Sequence, residues 1–254
     1  MYREVPCIKG ETDTFTTTTH PVVVEMSVSL SVNGRHFLTA MVSPESLEEF
    51  VIGFLFTEQI IKSLNDIESI QKEKNSFSVL TKNPFKVLGQ KKIILSGCGG
   101  SSSYLDIRRL PVISSSFQVP RHTITSAMKE IMDSSLHRLT GGVHVVGLTA
   151  QEQLHISEDI GRHNALDKAI GYALKNQIPL DESFVTSSGR ISSEMVRKSL
   201  VANIPLLVSR GAVTSLALEI AEKTGLCVIG FARGERMNIY TNPVRVTGAP
   251  HTMG

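Results

Sequence analysis

The sequence has no tryptophan, four tyrosines and three cysteines among 254 residues. Cysteines at 7, 98 and 227 cannot build a disulfide framework or a four-cysteine metal site, and the odd count leaves a free thiol. A reducing compartment fits that usage. Excess charge is also missing: 26 basic against 24 acidic residues leave +2, too little to draw nucleic acid or an anionic membrane in bulk. Any anion site has to be local. No apolar run approaches the roughly 20 residues of a membrane span, and Met1 to Cys7 lacks the charged-then-apolar pattern of a secretory leader. The cytoplasm is therefore the expected location. H-x-x-x-H, C-x-x-C and zinc-finger spacings are absent, which argues against a directly bound metal. Without a Walker loop or a G-x-G-x-x-G after a strand, nucleotide-hydrolase and dehydrogenase readings fail.

What is present divides into two rhythms. Residues 1–20 are polar, threonine-rich and without apolar period, and read as a tail or an edge segment. Val22 to Val32 then alternates as a strand, Asn33-Gly34 is a strong hairpin signal, and Arg35 to Val42 is the return strand. Ser43-Pro44 reads as a cap and first helical position before a helix over about 44–60, with Leu47, Phe50, Val51, Phe54 and Leu55 on one face. Short apolar runs over 66–95 complete a smaller α+β domain spanning 21–119, and Pro111 to Pro120 looks like a linker. From 120 to 250 helices alternate with strands at Val143 to Leu148, Leu154 to Ser157, Ser183 to Ser187, Leu206 to Ser209 and Cys227 to Phe231. After Pro179 that alternation predicts parallel βαβ units, an α/β domain.

The smaller domain ends in Ser96-Gly97-Cys98-Gly99-Gly100-Ser101. Its three glycines free the backbone to turn amides toward an anion, one way to stabilise a thiolate, and small neighbours leave Cys98 open to another sulfur. The plainer alternative is a flexible turn with an incidental thiol. Cys227 sits in an apolar run and reads as core, and Cys7 lies in the tail, so Cys98 is the candidate reactive centre.

Ligands of open parallel sheets usually bind at the carboxyl ends of the strands. Here those ends carry Ser188-Gly189-Arg190, Ser209-Arg210 and Phe231-Ala232-Arg233-Gly234-Glu235-Arg236. Converging guanidiniums, glycine backbone and hydroxyls suit a phosphate or pyrophosphate. The alternative is that these arginines pair with Glu194, Glu219 and Glu235. Glu158 to Asn164 sets Asp159, Arg162 and His163 before a helix, where they could serve a ligand or merely cap and pair. His144 is a further candidate; the other histidines, His137 among them, lack context.

The long run Glu158-Asp159-Ile160-Gly161-Arg162-His163-Asn164-Ala165-Leu166-Asp167-Lys168 resembles the formate dehydrogenase accessory sulfurtransferase (FdhD) family. So do Thr140-Gly141-Gly142-Val143-His144, Ser188 to Met195, Ser209-Arg210 with Thr214 to Ala217, Phe231 to Thr241, Val32-Asn33-Gly34 and Gly53 to Glu58. The resemblance implies a persulfide relay, in which sulfur from a cysteine desulfurase passes through Cys98 to the molybdenum bis(molybdopterin guanine dinucleotide) cofactor of formate dehydrogenase. It implies a guanine-dinucleotide site at Phe231 to Arg236, for which a guanine nucleotide would be a mimic. It also implies a homodimer and a cytidine-deaminase-like, three-layer α/β/α larger domain.

One departure stands out. The family commonly shows C-G-x-C-G, whereas Cys98-Gly99-Gly100-Ser101 puts serine at the second cysteine. One cysteine suffices for thiolate attack and release, but no two-cysteine mechanism is open to this chain. Two other readings follow: a non-catalytic molybdenum-cofactor-binding chaperone for formate dehydrogenase, and a cysteine hydrolase using Cys98 and His163 with Asp159 as orienter.

Overall fold

The structure is a computed structural model describing residues 1–83 and 110–250. The Cys98 loop, Ser101 included, lies outside the described residues.

The chain opens with β1 (Tyr2–Glu11) and β2 (Thr14–Val23), an antiparallel hairpin. The segment read as a tail or edge is thus a paired ribbon: threonine favours the strand, and cross-strand bonds replace the missing apolar period. β3 (Met26–Val32) and β4 (Arg35–Val42) follow, joined through Asn33 and Gly34, both at positive φ (50° and 76°) as a type I′ turn requires. With β5 (Ile67–Glu73) and β6 (Ser76–Thr81) they form a sheet of order β4-β3-β6-β5. Helix α1 (Leu47–Thr57) covers one face, where Phe50, Val51, Phe54 and Leu55 meet Val28, Leu30, Phe77 and Val79.

α1 starts three residues later than Ser43-Pro44 suggests. Ser43 is fully buried and bonds elsewhere: its amide donates to Asp159 Oδ2 (2.9 Å), its hydroxyl accepts from the Ile160 amide (3.2 Å), and its carbonyl accepts from Lys168 Nζ (3.1 Å). A cap-like dipeptide is therefore a long-range clamp between the two halves of the chain.

The second half contains β7 (Val119–Pro120), α2 (Arg121–Met132), α3 (Ser135–Thr140), β8 (His144–Ala150), β9 (Gln153–Asp159), α4 (Arg162–Lys175), β10 (Ser183–Ser187), α5 (Ser193–Val201), β11 (Leu206–Ser209), α6 (Ser215–Thr224), β12 (Cys227–Arg233), β13 (Arg236–Thr241) and β14 (Val246–Thr247). Six of these strands make a mixed sheet of order β13-β12-β11-β10-β8-β9. As expected from the alternation after Pro179, β10, β11 and β12 are parallel; β8, β9 and β13 are antiparallel additions. Val146, Val185, Leu207 and Val228 point to α4, α5 and α6, while Val145, Phe184, Leu206 and Ile229 point to α2. The sheet is therefore buried on both faces, as the near-continuous apolar strands require. This mixed α/β body carries the candidate site along the carboxyl edge of β10, β11 and β12.

Candidate functional site

The three strand-end loops are sewn to one another. The Ser209 hydroxyl donates to the Gly189 carbonyl (2.7 Å) and accepts from the Gly211 amide (2.8 Å), and the Arg210 amide donates to the Ser187 carbonyl (3.0 Å). The Phe231 amide reaches the Gly211 carbonyl (2.9 Å), and Arg233 Nε the Arg210 carbonyl (3.2 Å). Phe231 holds a positive φ of 52°, a costly backbone state for an aromatic residue. Its ring stays exposed beneath the Arg233 guanidinium, 5.9 Å from ring centroid to charge. Ser209 and Ala232 are buried, so they build the loops rather than face a ligand.

Among the described residues the arginines meet no carboxylate. Glu194 faces His163 (3.5 Å), Glu219 pairs with Lys223 (2.8 Å) and Glu235 lies by Arg121 (3.8 Å). These three carboxylates thus face other partners, and among the described residues no ion pair involves Arg190, Arg210, Arg233 or Arg236. All four are exposed. Guanidiniums beside turned backbone and without counterions make a site for an oxyanion.

Beside these loops, a cavity of about 230 Å³ is lined by Met132, His137, Gly142, His144, Ser188 and Arg210, among others. His137 lacks sequence context, yet the structure gives it a role in this wall: its Nδ1 lies 2.9 Å from the Val143 carbonyl, which fixes a proton on that nitrogen. Only its position just before the Thr140 to His144 motif could have signalled it. Ser188 accepts from the Val145 amide (2.9 Å) and keeps its own proton to donate. His144 packs against Gly189, where an added Cβ would lie 3.0 Å from its Nδ1. Burial, then Arg162, His137 and Arg190, hold its pKa below the usual imidazole value, so it stays neutral in a cationic surround.

The Glu158 to Lys168 segment divides into structure and site. Asp159 is completely buried, with Lys168 Nζ at 2.7 Å and the Gly161 amide and Asn164 Nδ2 both at 2.9 Å on its oxygens. It anchors the entry to α4 and is closed to any ligand. Arg162 and His163 head that helix instead. His163 Nε2 lies 3.4 Å from Ser192 Oγ and Nδ1 3.5 Å from Glu194 Oε2. Asp159 therefore does not orient His163, and the hydrolase reading loses its third member. Ser192, His163 and Glu194 are themselves connected like a nucleophile, base and orienter. Burial first, then Arg162, Lys198, Arg197 and His144, push the His163 pKa down to about 3, too low for a general base near neutrality.

Cys227 is core, its thiol pushed up to about 12 by burial, and so unreactive. Among the described residues no group of three His, Cys, Asp or Glu side chains could hold a metal ion, and no helix is long and apolar enough to cross a membrane.

The chain as a whole is similar to known proteins. The model of the FdhD/NarQ family matches residues 23–247. The chain belongs to the FdhD/NarQ family. FdhD of Bacillus pumilus, named as a sulfur carrier protein, is 36% identical over 243 residues, covering 92% of this chain and 93% of its own. FdhD of Methanothermobacter thermautotrophicus, named likewise, is 32% identical over 247 residues, covering 97% and 99%. A crystal structure described as a formate dehydrogenase accessory protein from Desulfotalea psychrophila aligns with a TM-score of 0.79 at 27% identity, covering 96% of this chain and 99% of that one.

Proposed function

We propose that the chain is a cytoplasmic sulfur carrier for formate dehydrogenase, acting as a sulfurtransferase through Cys98. The Cys98 thiolate attacks the outer sulfur of a persulfide on a cysteine desulfurase. A new sulfur–sulfur bond forms to Cys98, the donor's sulfur–sulfur bond breaks, and the donor leaves as a thiolate. The substrate that receives this sulfur is the molybdenum bis(molybdopterin guanine dinucleotide) cofactor. Delivery to the metal as sulfide returns the Cys98 thiolate and takes two electrons from the acceptor. Arg190, Arg210, Arg233 and Arg236 would hold the dinucleotide's phosphates, with Phe231 offering an exposed ring at the same edge. In this reading the larger domain has cytidine-deaminase-like layering without deaminase chemistry, and the protein works as a homodimer.

The observation that carries the reading is the row of uncompensated arginines on a chain of this family. A strain lacking the natural protein tests it: the wild-type chain restores formate dehydrogenase activity and Cys98→Ala does not. Ser101, in place of a second cysteine, favours one other reading, a cofactor-binding chaperone without relay chemistry. Full restoration by Cys98→Ala would select that reading and reject the relay.

A further inference from the structure

Three histidines stand beside the arginine loops, and their ring nitrogens are not equally occupied. His137 Nδ1 donates to the Val143 carbonyl (2.9 Å). His163 faces Ser192 with one nitrogen (3.4 Å) and Glu194 with the other (3.5 Å). His144, half-buried where β8 begins, lines the cavity of about 230 Å³ together with Ser188 and Arg210. Among the described residues neither of its ring nitrogens takes part in a hydrogen bond. A polar ring with both nitrogens open on a cavity is placed to meet a ligand.

The groups around that ring are cationic or already spoken for. The start of α4 brings Arg162 and His163, α3 brings His137, and the loop after β10 brings Arg190. Arg210, from the loop after β11, lines the same cavity. Gly189 lets the cluster close up: an added Cβ there would lie 3.0 Å from His144 Nδ1 and 3.3 Å from Arg162 Cδ. The carboxylate on this side is Asp159, opposite His144 in the β8–β9 register. Its oxygens are taken by Lys168 Nζ (2.7 Å) and by the Ser43 amide, the Gly161 amide and Asn164 Nδ2 (all 2.9 Å). A proton on His144 is therefore opposed by Arg162, His137 and Arg190, and what opposes a cation favours an anion.

We infer that His144 takes up a proton from solvent when a phosphate diester anion binds at this cavity, and gives it back when the anion leaves. The inference rests on the arginine row being the phosphate site, and adds the group that makes binding there depend on pH. In the free protein, burial and the neighbouring cations keep the ring neutral. An incoming negative charge offsets those cations, so the imidazolium becomes favourable and donates a charge-assisted hydrogen bond. Nothing else is exchanged: a ring nitrogen gains the proton that water or buffer loses. Coupling of two binding events is reciprocal, so the proton must tighten the anion as much as the anion tightens the proton. The sign follows. The His144 pKa is depressed in the free protein and raised in the complex, and between those two values affinity rises as pH falls. His163 does not compete, since both its nitrogens are engaged and its pKa lies at about 3.

Calorimetry on the full chain tests this with diguanosine diphosphate, two guanosines joined by a pyrophosphate diester. Its phosphates carry no titrating proton near neutrality, so any proton exchanged belongs to the protein. Measured in two buffers of different protonation enthalpy near pH 6, binding by the wild type should draw in a measurable fraction of one proton. Its affinity should rise as pH falls from about 8 to about 6, by no more than about tenfold per pH unit. His144→Gln keeps a hydrogen-bonding side chain but cannot titrate; it should bind without proton uptake and with an affinity that is flat over the same range. The wild-type measurement decides by itself if circular dichroism shows that variant unfolded. Binding by the wild type without uptake, uptake that survives in folded His144→Gln, or an affinity that falls toward pH 6 would each overturn the inference. In those cases a loss of affinity in Arg210→Ala would leave the arginine reading standing. No binding of the dinucleotide by the wild type would remove the arginine row and the inference together.

Discussion

Gly53 and Gly171 let two helices touch backbone to backbone. A Cβ on Gly53 would lie 1.8 Å from the Asp167 carbonyl oxygen, and one on Gly171 1.9 Å from that of Glu49. α1 of the small sheet thereby packs directly on α4, which bears Arg162 and His163 at its other end. Gly53→Ala should destabilise the protein by about 3 kcal/mol or more, since the obstructing atoms are backbone and cannot swing aside. Urea unfolding checks this, and a loss below about 1 kcal/mol would contradict the contact.

Below that crossing lies a buried ionic cluster. Lys198 Nζ sits 2.8 Å from Asp167 Oδ2 and 2.9 Å from Thr57 Oγ1, and Arg197 pairs with Glu58, all buried. Asp167→Ala should cost about 3–5 kcal/mol by stranding the Lys198 ammonium. Asp167→Leu with Lys198→Met should recover most of the loss, because Arg197 and Glu58 still balance. A double variant no better than the single would show that the charges, and not merely their pairing, hold the fold.

Acid should weaken the protein partly through His163. Its folded pKa of about 3 lies below the ordinary 6.5, so between those values the unfolded chain binds a proton that the folded protein refuses. Stability through this group is therefore full above pH 6.5 and falls as pH drops toward 3, by at most about 1.4 kcal/mol per pH unit. Asp167, pushed up to about 6 by burial, slopes oppositely between 3.8 and 6, so the informative quantity is the difference between wild type and His163→Gln. On going from pH 6.5 to pH 4 the wild type should lose more stability than His163→Gln. Equal losses would mean that His163 is not held neutral.

The arginine edge predicts anion binding that salt weakens. By calorimetry, Arg210→Ala and Arg190→Ala should each lower affinity for guanosine diphosphate about tenfold, the scale of one lost charged hydrogen bond. Glu219→Gln, whose carboxylate is occupied by Lys223 (2.8 Å), should leave it unchanged. Undiminished affinity in both arginine variants would remove these loops from the ligand.

Much of this was legible where the signal is local. Asn33-Gly34 announces its own turn, and the alternation after Pro179 announces β10, β11 and β12 as parallel neighbours. Ser43 misleads because its partners, Asp159 and Lys168, lie more than a hundred residues away and leave no mark around Ser43-Pro44. Asp159 looks like site chemistry for the same reason: the lysine that consumes it is visible, but not the burial that closes the pair. That the strand-end arginines lack carboxylate partners among the described residues depended on three-dimensional pairing, which spacing does not encode. The threonine ribbon lacked the apolar alternation by which half-buried strands are recognised, since neither of its faces is buried.

Transfer through Cys98 requires that this thiol carry sulfur. The most direct measurement is the intact mass of the protein after incubation with a cysteine desulfurase and cysteine, read before and after a thiol reductant. Wild type should gain one sulfur that the reductant removes, and Cys98→Ala should gain none. A wild-type mass unchanged while the desulfurase is turning over, or the same gain in Cys98→Ala, would contradict sulfur transfer through Cys98.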